Sequence, residues 1–188
     1  MQHRKPDREH STMSRRHFLG LCAGAASGLI IRPAEASITK AASRDLSFHN
    51  LHTGERLSLT YWEGGDYVDD ALRAVNHVLR DHRTGEVHAM DPGLLDLLVR
   101  IRSKLDTDRP FEVISGYRSP KTNAKLRKAS GGVAKRSLHM SGKAIDIRVP
   151  GRDVHQLQKA ALSLKAGGVG LYTKSRFVHV DTGRVRSW

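Results

Sequence analysis

Ser137-Leu138-His139-Met140-Ser141-Gly142-Lys143-Ala144-Ile145-Asp146-Ile147 passes from a histidine-bearing loop into a β-prone run that sets an aspartate between two isoleucines. Alternate side chains of a strand leave on opposite faces, so Asp146 points away from the face that Ile145 and Ile147 share. A carboxylate beside an aliphatic core run is costly to bury alone, and Asp146 needs a partner. The pattern recurs at Phe177-Val178-His179-Val180-Asp181, where His179 and Asp181 share one face and Val178 and Val180 the other. If both strands lie in one sheet, His139, Asp146 and His179 converge as two imidazoles and one carboxylate. That set suits zinc with a fourth position open to water, as in catalytic rather than structural sites.

The elements around these strands are mixed. From Leu46 to Tyr61 apolar residues roughly alternate about His52-Thr53-Gly54-Glu55, the pattern of a hairpin. Ala71, Leu72, Val75, Val78 and Leu79 have helical spacing, and Asp91-Pro92 opens a second helix through Leu94, Leu95, Leu98, Ile101 and Leu105. Phe111–Ser115 reads as a short strand, followed by Ser119-Pro120 as another helix start. Later come a strand at 144–149, a helix from about Asp153 to Ala166 that stops at Gly167-Gly168, and strands at 169–172 and 177–181. The expectation is one α+β domain with a small, largely antiparallel sheet flanked by helices.

The whole chain has 188 residues, 32 Lys and Arg against 19 Asp and Glu, and a net charge of +13. One cysteine excludes an internally disulfide-stapled scaffold. The charge predicts an anionic partner such as nucleic acid, a membrane surface or an acidic polymer.

Ser14-Arg15-Arg16-His17-Phe18-Leu19 is similar to the twin-arginine export signal, S-R-R-x-F-L. An apolar stretch from Phe18 to Ile31 follows, then Ala34-x-Ala36, which predicts cleavage before Ser37. The apolar stretch carries Gly20, Gly24 and Gly28 and is shorter than the ~20 residues of a membrane-spanning helix, so no stable anchor is expected. Removing residues 1–36 takes away six basic and three acidic residues together with Cys22, leaving +10 on 152 residues. The organisation expected is a cleaved signal over 1–36, a short segment over 37–45 and a domain over 46–188. Export to the periplasm through the twin-arginine machinery argues against nucleic acid as the partner.

The His139 stretch resembles the first zinc motif of the LAS metallopeptidases, a group named for lysostaphin, D-alanyl-D-alanine peptidases and the hedgehog signalling domain. In their pattern H-x-x-G-x-A-x-D, His139, Gly142, Ala144 and Asp146 match every fixed position, and His179 matches the third ligand on a later strand. Ser115-Gly116-Tyr117-Arg118-Ser119-Pro120, Ser137-Leu138-His139 and Phe177-Val178-His179-Val180-Asp181-Thr182-Gly183 are most similar to the murein endopeptidase K branch, exported enzymes that cut peptidoglycan cross-links. The resemblance runs from Leu46 to Trp188 and implies the LAS core, Zn2+ as cofactor and peptidoglycan as the anionic partner.

Such chemistry also needs a group for the oxyanion and one for the proton. Arg118 ends a β-run in a glycine-containing turn, where a permanent cation reaches a developing negative charge; relatives use an arginine in the corresponding stretch. Relatives that place a base before the last zinc histidine do so at positions occupied here by Phe177 and Arg176, neither of which is a conventional base. Asp181 is the nearest carboxylate, either as the base or as a partner that orients His179. Asn123 is a candidate substrate contact or a helix-surface residue. Lys121, Lys125, Arg127, Lys128, Lys135 and Arg136 form a basic cluster beside the motif, a solvated face that could hold an anionic polymer. His49, His52, His77, His82 and His155 read as ordinary histidines, and so does His88, although it lies near the Asp91 helix start.

The resulting expectation is a zinc-dependent hydrolase of peptide cross-links in peptidoglycan, acting through an activated water. The alternatives are a D-alanyl-D-alanine carboxypeptidase or dipeptidase, a zinc-stabilised wall-binding module without catalysis, and, disfavoured by export, a nucleic-acid binder.

Overall fold

In the computed structural model, residues 42–188 are described, and the signal expected over residues 1–36 lies outside them. Among the described residues the alternation of Leu46 and Phe48 becomes strand β1 (Ser43–Asn50), paired antiparallel with β2 (Arg56–Glu63). Their turn is held by the Asn50 carboxamide, which accepts from the backbone of His52 and Thr53. β3 (Asp66–Tyr67) extends the hairpin. Strand β1 thus takes up residues 43–45, ahead of the domain start at Leu46 that sequence reading predicts.

Helices α1 (Asp69–Val78) and α2 (Pro92–Lys104) follow. Asp91 caps α2 by accepting from the Gly93 amide, and Pro92 occupies the first turn, where its missing N–H costs nothing. These helices carry the chain back across the sheet, so β4 (Phe111–Ser115) enters parallel to β1. Ser119 then caps α3 (Pro120–Ala129), and Asp153 with Gln156 forms a capping box on α4 (Val154–Ser163).

Strands β5 (Ala144–Arg148), β6 (Gly168–Tyr172), β7 (Phe177–Asp181) and β8 (Arg186–Ser187) complete one eight-stranded sheet in the order β3-β2-β1-β4-β5-β7-β6-β8. It is largely antiparallel, with parallel neighbours at β1/β4 and β6/β8. The α+β expectation holds, and the sheet gains two two-residue strands too short to announce themselves in sequence.

Helices α1, α2 and α4 bury Val75, Leu94, Leu95, Leu98, Ile101 and Leu157 against sheet residues that include Leu46, Phe48, Phe111 and Val113. Each fully buried side chain of this size contributes about 1.5–3 kcal/mol. Ile145, Ile147, Val178 and Val180 belong to the same core. Strand alternation therefore turns Asp146, His179 and Asp181 to the other face. No helix among the described residues is long and apolar enough to cross a membrane.

Candidate metal centre

β5 and β7 pair so that Asp146 lies directly opposite His179, and Ala144 opposite Asp181. On the other side of β5, the register with β4 slips between Val113 and Ser115. Such a bulge re-aims the chain, and here it precedes Gly116, whose carbonyl accepts from His139 Nδ1 at 2.7 Å.

His139 sits in a single 3-10 turn, Leu138–Ser141, and is buried. Gly142 ends that turn in the left-handed region at φ 66°. A Cβ there would also lie 2.2 Å from the Ala89 carbonyl oxygen, so glycine is required twice over. The Gly142 carbonyl accepts from the Asp91 amide, and the His139 carbonyl accepts from the Arg118 amide. The turn is thereby clamped between the start of α2 and the end of β4. The spacing His139, Gly142, Ala144, Asp146 is one turn, one reversal and the first buried residues of a strand.

The hydrogen bonds fix both imidazole tautomers. A carbonyl can only accept, so His139 carries its proton on Nδ1 toward Gly116 and leaves Nε2 as a lone pair. His179 Nε2 lies 2.9 Å from Asp181 Oδ2, a carboxylate that accepts, which leaves His179 Nδ1 as a lone pair. These two nitrogens are 3.2 Å apart, and Asp146 Oδ1 lies 2.9 Å from His179 Nδ1 and 3.3 Å from His139 Nε2. Three buried lone pairs face one point, an arrangement that repels itself unless a cation occupies it. The residues present therefore fit a metal ion, and their ligand atoms all lie within 4.8 Å of one another.

The electrostatics agree. Burial raises the Asp146 pKa, yet positive charge on the His139 and His179 imidazoles, present when protons rather than a metal ion take their lone pairs, outweighs it and holds the carboxyl well below the usual carboxylate range. Burial lowers the His179 pKa, but the carboxylates of Asp146 and Asp181 reverse this and raise it, a field that favours positive charge at the cluster.

Asp181 has no exposed surface. Besides His179, it accepts from the amides of Gly168 and Gly183 and from Arg186, whose Nη1 and Nη2 lie 3.1 and 2.6 Å from Oδ1 and Oδ2. Burial raises its pKa, but these donors hold it below the ordinary carboxylate range. Arg118 is partly buried, with Nη2 at 3.3 Å from Ser115 Oγ and 3.4 Å from Asp146 Oδ2, and its Nε has no partner. Asn123 is buried, not on a helix surface, and its Nδ2 donates to the carbonyls of Ala134 and Lys135. His88 is exposed and stacks on Tyr117, with ring centres 4.7 Å apart.

The cluster opens into a cleft of about 380 Å³, lined by Arg118, residues of the loop at 130–138, His139, Asp146, Tyr172, Phe177, His179, Arg186 and Trp188. Of the basic cluster, Arg136 reaches this lining. The Gly116 carbonyl, Arg186 and Trp188 escape sequence reading. The one available signal was Asp181, a strand carboxylate beside aliphatic residues that had to find a cation.

A cleft with two imidazoles and a carboxylate on its floor, set on an α+β sheet, is built as a metal centre, and the family match makes the class a metallopeptidase. Residues 38–188 match the family model Peptidase_M15_2, described as peptidoglycan L,D-endopeptidase MepK, and the chain belongs to that family. It is 44% identical over 169 residues to the peptidoglycan L,D-endopeptidase MepK of Escherichia coli strain K12, covering 90% of this chain and 92% of that protein. It is 42% identical over 178 residues to the probable peptidoglycan L,D-endopeptidase MepK of Haemophilus influenzae, covering 93% and 95%.

Proposed function

We propose that this chain is a zinc-dependent endopeptidase that hydrolyses peptide cross-links in peptidoglycan, with His139, Asp146 and His179 as the zinc ligands. The observation that carries the reading is the convergence of their three lone pairs at the floor of an open cleft. Their separations of 2.9–3.3 Å are close to the ~3.3 Å edge of a tetrahedron whose ligands stand about 2.0 Å from the centre. When bound, zinc supplies Lewis-acid polarisation of a carbonyl and lowers the pKa of a water to about 7.

The chain's own residues do the rest. The Gly116 carbonyl and the Asp181 carboxylate hold the two imidazoles in the tautomers that present lone pairs to the cluster. We assign Asp181 to this orientation and not to proton transfer, because five N–H donors already surround its buried oxygens. Arg118 brings guanidinium N–H groups to the cleft, where they stabilise negative charge developing on the substrate carbonyl oxygen. Asn123 serves substrate binding indirectly by tying down the loop that walls the cleft.

Terminal trimming of D-alanine and a purely binding role are not favoured, since the relatives are named endopeptidases. Location outside the cytoplasm follows from such a substrate, and the twin-arginine motif over residues 14–19 supports export to the periplasm, with residues 37–188 remaining after cleavage. Replacing Arg15 and Arg16 by lysine should retain the protein in the cytoplasmic fraction, and unchanged export would remove that part of the reading.

Digestion of purified cross-linked muropeptides tests the activity. Loss of dimers that a chelator stops and added zinc restores is expected, and Asp146→Ala should abolish it in a protein that still folds. Dimers that survive, or that vanish regardless of chelator, overturn the proposal.

A further inference from the structure

The cleft has an aromatic wall that the zinc chemistry does not use. Tyr172 and Phe177 stack with ring centres 4.5 Å apart, and Trp188 donates its indole N–H to the Tyr172 hydroxyl at 3.1 Å. The indole is also 5.2 Å from the His179 ring, with the Arg186 guanidinium 5.0 Å from its centre. Yet Trp188 remains 50% exposed.

Its position is built by the backbone. The Trp188 amide donates to the Val169 carbonyl and its carbonyl accepts from the Leu171 amide, which pins the residue alongside β6. Between those residues is Gly170, where a Cβ would meet the indole Cε2 at 2.5 Å. The glycine is therefore what lets the ring lie against the strand at the cleft. A rigid, half-exposed indole held by four separate contacts beside a reaction centre is an apolar surface prepared for a ligand. The same cleft is lined by Arg136, an exposed cation with no carboxylate partner among the described residues. A ligand that satisfies both carries an aliphatic chain and a free carboxylate.

We infer that Trp188 is a substrate-positioning residue: its exposed indole face receives the aliphatic side chain of the carboxylate-bearing residue at the cross-link, and Gly170 keeps that face in place. This rests on the endopeptidase reading above. The indole discriminates by contact area, so a ligand lacking the methylene chain gains nothing from it.

Two measurements on the zinc-loaded full-length protein test it. In a Trp62→Phe background Trp188 is the sole tryptophan, and titration with an uncross-linked disaccharide-tetrapeptide, which cannot be cut at a cross-link, should shift its emission to the blue and saturate. Trp188→Ala should raise KM for cross-linked dimers about ten-fold, the loss of one or two packed methylenes, with kcat changed much less and zinc content retained. Trp188→Phe, which keeps an aromatic face, should recover most of the KM. An active wild type with no emission change, or a Trp188→Ala variant with unaltered KM, overturns the inference. An inactive wild type would instead defeat the endopeptidase reading.

Discussion

Asp146 and His179 are directly paired residues of neighbouring antiparallel strands, and their side chains meet at 2.9 Å on the face turned away from the core. Strand pairing alone thus delivers two of the three lone pairs of the cluster. Cross-strand neighbours are held at fixed separation by the ladder on either side, so these two groups need no loop to bring them together. His139 is added by the turn that Gly142 closes.

Asp181→Asn should weaken zinc binding about 10–100-fold, because the replacement keeps the shape but loses the charge that orients His179 and answers Arg186. Competition with a chromogenic chelator measures it. Unaltered zinc affinity with a collapsed kcat would instead assign Asp181 to proton transfer.

Arg118→Ala should lower kcat by about 10²–10³-fold, the usual cost of one donor to a developing oxyanion, while metal content stays equal to that of the wild type. Arg118→Lys should recover only part, since an ammonium cannot reproduce the planar fork of donors. Equal kcat in wild type and Arg118→Ala would return Arg118 to a structural role beside Ser115 and Asp146.

Gly142→Ala should destabilise the fold by at least about 1 kcal/mol from the left-handed backbone alone, with more from the contact with the Ala89 carbonyl. For a domain of this size that is a fall in Tm of about 2–4 °C or more. Scanning calorimetry checks it, and a wild-type Tm would show that the turn relaxes freely.

Stability should fall in two steps as the pH drops. Burial, aided by Arg83 and His52, lowers the His82 pKa from its ordinary 6.5 to about 4. The unfolded chain therefore binds this proton first, and His82 contributes stability above pH 6.5 that is lost as the pH falls toward 4. Asp81 follows: burial raises its pKa, but hydrogen bonds from Thr122, Ser119 and Arg83 hold it below the ordinary carboxylate range. Its contribution is complete above the ordinary 3.8 and is lost below it. Urea midpoints against pH should be flatter between 6.5 and 4 for His82→Gln and flatter below about 4 for Asp81→Asn. Parallel curves for variant and wild type would contradict this, and titrations at the metal centre are common to both.

The legible parts of this fold are those with local causes. Apolar alternation marks β1, β2, β5 and β7, and the side-chain caps at Asp91, Ser119 and Asp153 mark helix starts. The α+β class followed from these, as did the choice of His139, Asp146 and His179 as residues to watch. β3 and β8, two residues each, carry too little periodicity to be read. Asn123 illustrates the same limit at the level of one side chain. On a helix rich in lysine it looks like surface, and only the 134–135 backbone laid against it makes it buried.

The sequence by itself determined the residue types, their strand faces and the family-like spacing, because alternation, capping and turn glycines act over a few residues. Tertiary structure decided the rest: the Asp146–His179 register, the His139 tautomer imposed by Gly116 and the placing of Trp188 on Gly170. Each of these depends on groups remote in the chain reaching within about 3 Å, the range over which hydrogen bonds and close packing act, and no local pattern encodes that distance.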